Sequence, residues 1–99
     1  MLATGRVDPT MVGSWDMKPQ NRFMGGASTL TIDASGRYTL TPANGGEIER
    51  GRLTAQHGTA MLVNDVDGSS RQLYYEMSGP DTGVVTELDA TQFDITRRR

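Results

Sequence analysis

Apolar side chains recur at every second position in this chain, in short runs broken by glycine, asparagine and aspartate turns. No segment sustains a helical period. Alternation of this kind sends successive side chains to opposite faces, so each run reads as a half-buried strand. The expected strands are Met11–Lys18, Ser28–Asp33, Arg37–Thr41, Glu47–Gln56, Thr59–Asn64, Arg71–Met77, Val84–Leu88 and Gln92–Arg97. The clearest pair is the hairpin about Ala34-Ser35-Gly36, where glycine supplies the positive φ of a tight turn. Gly51, inside the fourth run, marks a bulge, a bend or a close backbone approach.

Short loops favour antiparallel pairing of sequential strands. An eight-stranded meander must bury one face and dispose of two edges, and closing it into a barrel does both. The expected fold is all-β, a small antiparallel up-and-down barrel of about eight strands over residues 11–97. A flexible N-terminal segment, residues 1–10, precedes it. One shared interior is expected for Leu30, Ile32, Tyr38, Leu40, Leu53, Leu73, Tyr75, Phe93 and Ile95. A register slip of one residue would expose all of them. Pro19–Ala27 does not alternate and reads as a loop or flap carrying Phe23 and Met24.

Composition removes much chemistry. The 99 residues make one domain. Ten Lys+Arg against twelve Asp+Glu, a net charge of −2, give no electrostatic case for a nucleic-acid partner. There is no cysteine, hence no disulfide or thiolate chemistry, and His57 is the single histidine. The longest apolar run, Met61-Leu62-Val63, falls far short of the roughly 20 residues of a membrane helix. Residues 1–14 contain no apolar core of a signal peptide. Hydrophobic content is 35% and mean hydropathy −0.49, low values that fit many short strands.

The reactive inventory is thin. His57 sits between Gln56 and Gly58 at an expected turn, and no Gly-x-Ser-x-Gly elbow presents a nucleophile to it. Asp65-Val66-Asp67-Gly68-Ser69 is half of a calcium loop without flanking helices, and reads as a polar hairpin loop. Glu47 and Glu49 share one strand face, which is expected to be the solvated outer one; Arg50 and Arg52 share the other. Arg97-Arg98-Arg99 is a short basic tail, and no cofactor or metal set emerges.

Three pieces of sequence together resemble small bacterial lipocalin-like domains of the calycin type. They are Gly13-Ser14-Trp15 on the first strand, Asp33-Ala34-Ser35-Gly36-Arg37-Tyr38-Thr39-Leu40 in the hairpin, and Arg97 ending the last strand. The resemblance implies that Arg97 packs across Trp15, with Gly13 beside them, to close the barrel floor. It spans residues 11–97, although the chain lacks the long helix of a full-size lipocalin. It also implies a non-enzymatic binding domain for a small apolar or amphipathic ligand. Met17, Phe23, Met24, Tyr38, Tyr75 and Met77 are the candidate ligand contacts, at the end opposite Trp15. There the loops Pro19–Ala27, Pro42–Gly46, Asp65–Ser70 and Asp89–Thr91 would surround the opening, with Phe23 and Met24 as its lid. The alternative is a solid-core accessory or inhibitor-type module that contacts a protein partner or a second copy.

Overall fold

The computed structural model describes residues 7–21, 26–56 and 58–98. They form β1 (Gly13–Pro19), β2 (Ser28–Ile32), β3 (Arg37–Pro42), β4 (Glu49–Gln56), β5 (Thr59–Asn64), β6 (Ser70–Met77), β7 (Thr82–Glu87) and β8 (Gln92–Arg97). Every strand pairs antiparallel with its neighbours in sequence, and β8 returns to pair with β1, closing the barrel. The fold class expected from the alternation is the one observed. The closing register sets Trp15 opposite Arg97, Met17 opposite Ile95 and Pro19 opposite Phe93.

The interior is the predicted one. Leu30, Ile32, Tyr38, Leu53, Leu73, Tyr75 and Ile95 are buried, with Leu40 and Phe93 packed against them. Six of the eight strands differ from expectation by one or two residues at an end, and two of the shifts have a structural consequence. The first strand starts at Gly13, because Asp8-Pro9 opens a 3-10 turn over Pro9–Met11. Asp8 caps that turn by accepting from the Thr10 N–H at 3.0 Å, and proline at the first helical position needs no donor partner. Met11 is buried beneath the barrel as a result. Val7 and Asp8, assigned by the alternation to a flexible segment, are anchored: Val7 packs on the core and Asp8 accepts a hydrogen bond from Tyr75. The last hairpin turns earlier than expected, leaving Leu88 exposed in its loop.

Gly51 proves to be a close approach within a regular register. It pairs with Tyr38 on β3 and Asn64 on β5. A Cβ there would collide with the Val63 carbonyl oxygen and stand 2.9 Å from the Tyr38 ring. The Val63 carbonyl, with the tyrosine ring beside it, therefore occupies the space that any other residue would need.

The floor of the barrel is built on Arg97. Its guanidinium carbon lies 4.3 Å from the centre of the fully buried Trp15 ring. Its donors reach the carbonyls of Val12 at 2.7 Å and Thr10 at 3.0 Å, and the Asp81 carboxylate at 3.1 Å. The indole N–H donates to the Met11 carbonyl at 3.0 Å, so the buried ring leaves no polar atom unpaired. Gly13, with φ +134°, supplies the remaining room, since a Cβ would meet Arg97 Nη1 at 2.5 Å. The Gly-x-Trp spacing thus has a steric reason at each end.

Two substitutions test this frame. Arg97→Ala should lower stability by about 3 kcal/mol, measured by urea denaturation, and Arg97→Lys should recover less than half of that loss because it lacks the planar fork. Gly51→Ala should cost about 1–3 kcal/mol through overpacking. Gly79→Ala is its control, with the nearest atom, Thr82 Oγ1, at an ordinary 3.7 Å.

Candidate ligand-binding cavity

In a meander the hairpin turns alternate between ends, so strand direction decides which loops meet. Loops 43–48, 65–69 and 88–91, with the described residues 20–21 and 26–27, lie at the end where β1 finishes, away from Trp15. Between them opens a cavity of about 260 Å³. At about 30 Å³ per water molecule, it has space for about eight waters. Its wall is Met17 from β1, Leu30 from β2, Leu40 from β3, Leu62 from β5, Leu73 from β6, Val85 from β7 and Phe93 from β8. Ser28, Pro42 and Asn44 stand nearer the rim. Three of the mouth loops also expose an apolar side chain: Ile48, Val66 and Leu88.

Charge enters at the mouth by the same alternation. Arg71 is inward on β6, two residues above Leu73, and Glu87 is inward on β7, two above Val85; both line the cavity. Glu49 is the first inward residue of β4 and is half-buried. Arg71 Nη2 donates to its two carboxylate oxygens at 2.9 and 3.0 Å. The Tyr38 hydroxyl donates to the same carboxylate from below. This corrects the placement of Glu49 on the solvated outer face with Glu47. The phase set by Leu53 carries through Gly51 to Glu49, and the ion pair and phenol satisfy it there.

Of the expected ligand contacts, Met17 lines the cavity. Phe23 and Met24 lie outside the described residues, as does His57. Tyr38, Tyr75 and Met77 are not among the residues that line this cavity. Each faces inward, but alternation fixes a face and not a depth. Tyr75 and Met77 sit where β6 runs to the floor, Tyr75 donating to Asp8 at 2.9 Å and Met77 pairing with Gly83. Tyr38 lies flat over Gly51 with its hydroxyl committed to Glu49. The residues missed, Leu62, Arg71, Val85 and Glu87, share one signal that could have found them: they are the inward positions nearest the mouth loops.

The polar loops are internally committed. Asp65 pairs with Arg37 at 3.0 Å, and the Asp67 carboxylate accepts from the Ser69 N–H at 2.9 Å. Those bonds make this stretch a hairpin turn of the Asx kind. Comparison with protein families, with curated proteins and with solved structures finds no match to this chain. The class is therefore defined by architecture: a closed eight-stranded antiparallel meander with a filled floor and an apolar cavity at its mouth.

The two buried phenols generate a pH prediction. Burial, then the Asp8 hydrogen bond, pushes Tyr75 up to about 12; burial, then the Glu49 hydrogen bond, raises Tyr38 as well. A tyrosine in an unfolded chain ionises near 10. A raised folded value means that the native state holds these protons longer, so their stabilisation is complete below pH 10 and declines as pH rises toward 12. The urea midpoint should fall across that window, and Tyr75→Phe should shrink the fall. A midpoint unchanged from pH 9 to 11.5 would contradict the assignment.

Proposed function

We propose that this domain is a non-enzymatic, lipocalin-like binding module that holds a small apolar or amphipathic molecule in the mouth cavity. The observation that carries the reading is the wall itself. Seven apolar side chains from seven strands converge on a space of about 260 Å³ that opens between loops with apolar tips. Small-molecule sites have this form, a mostly apolar concavity with a few polar groups at one side. The charged groups here are Arg71 and Glu87, with Ser28 and Asn44 as neutral polar neighbours at the rim. The lipocalin resemblance in Gly13, Trp15 and Arg97 supports the same reading, because those residues build a solid floor and leave the opposite end as the way in.

A second reading rests on a different surface. The outer wall of β5 and β6 exposes Met61, Val63 and Tyr74, which suits contact with a protein partner. One experiment separates the two. N-phenyl-1-naphthylamine, an uncharged probe, should fluoresce on binding the unmodified domain. Leu40→Trp, which fills the cavity from its wall, should weaken that binding at least tenfold, while Met61→Ala on the outer wall leaves it unchanged. Absence of any signal from the unmodified domain would sink the cavity reading, and sensitivity to Met61→Ala alone would favour the outer wall.

A further inference from the structure

Three ionisable side chains face inward around the mouth, and they do not balance. Arg71 is held by Glu49 through both carboxylate oxygens, and Glu49 also takes the Tyr38 hydroxyl. These two charges offset one another. Glu87 lines the same cavity, and its carboxylate has no hydrogen-bond or ion-pair partner among the described residues. It stands opposite Leu73 in the β6–β7 register, one inward step from Val85, so its carboxylate borders apolar wall on the cavity side.

Two mouth loops carry further carboxylates. Asp67 and Asp89 sit there, where turn hydrogen bonds from Ser69 and Thr91 hold their carboxyls below the usual range. An anionic head group entering here would face Glu87, with Arg71 already neutralised by Glu49. A neutral head group could donate a hydrogen bond to Glu87 but would leave its charge uncompensated. A cationic head group would complete it.

We infer that the mouth cavity selects cationic amphiphiles: an ammonium group on Glu87 with a single short alkyl or aryl chain among Leu30, Leu73, Val85 and Phe93. The inference rests on the cavity reading above and narrows it to one ligand class. Volume narrows it further. A cavity of about 260 Å³ suits one short chain better than two.

The test compares octylamine, octan-1-ol and octanoate, which share one chain and differ in charge. Each is titrated at pH 7 into the full chain and into Glu87→Gln, with binding followed by NMR shifts of the Leu30, Leu73 and Val85 methyl groups. In the unmodified protein octylamine should bind about five- to tenfold more tightly than octan-1-ol, with octanoate weakest. That advantage should shrink as salt rises. In Glu87→Gln octylamine should fall to the level of octan-1-ol, while octan-1-ol keeps its affinity and so reports an intact cavity. Binding of octan-1-ol without any octylamine advantage overturns the charge selection and leaves the cavity reading standing. Survival of the advantage in Glu87→Gln overturns the charge selection in the same way. So does tightest binding by octanoate, which would make Arg71 the head-group site. Failure of all three ligands to bind overturns both.

Discussion

Everything in this molecule depends on joining β8 to β1. A meander whose two outer strands stay apart leaves two rows of unpaired backbone groups and an apolar face open to water. Here the joint is fixed by one guanidinium. Arg97 stacks on the buried Trp15 ring while its N–H groups hold the carbonyls of Thr10 and Val12, on the segment that leads into β1. Its remaining donor binds Asp81, from the loop that precedes β7. One side chain thus ties three parts of the chain beneath the core, and the charge is compensated by carbonyl oxygens and a carboxylate within hydrogen-bond reach.

That joint also gives the barrel two unlike ends. At the floor, Trp15, Met11, Tyr75 and Val7 fill the cross-section, and their polar atoms bond to backbone or to Asp8. At the mouth the inward positions are mostly leucine, valine or charged residues, with Met17 and Phe93, and a cavity remains between them. An eight-stranded barrel is just wide enough for side chains to fill it or for one small ligand. Here side chains fill the floor half, and a cavity of about 260 Å³ remains at the mouth. Placing the large rings of Trp15 and Tyr75 toward the floor, and leucine, valine or glutamate at the mouth, is what divides the interior.

The face of each strand was legible in the sequence, and the depth was not. Alternation placed Leu30, Ile32, Tyr38 and Ile95 inside, and the Trp15–Arg97 contact was legible from the Gly-x-Trp piece and the arginine that ends the last strand. Tyr38, Tyr75 and Met77 were inward too, yet they belong to the floor half or to its polar contacts. Depth depends on strand tilt and stagger, which no single strand encodes. Glu49 shows the other limit. A glutamate on an inward phase is costly unless it is paired, and its partner Arg71 lies 22 residues away on a strand that does not adjoin β4. Proline capping explains the misplaced start of β1: the Asp8-Pro9 signal was a helical-turn start and outweighed the apolar Met11 that suggested a strand.

The register of the joint has a kinetic side. Seven of the eight strand pairings link neighbours in sequence, and only the β1–β8 pairing closes a loop spanning almost the whole chain. Local hairpins form without much loss of chain entropy, whereas bringing Trp15 to Arg97 requires ordering everything between them. Of the eight pairings, this one therefore carries the largest chain-entropy cost of closure. The mouth cavity has walls from both β1 and β8, Met17 and Phe93, so it does not exist before that step. Parting the β1–β8 joint would therefore take away two of the cavity's walls at once.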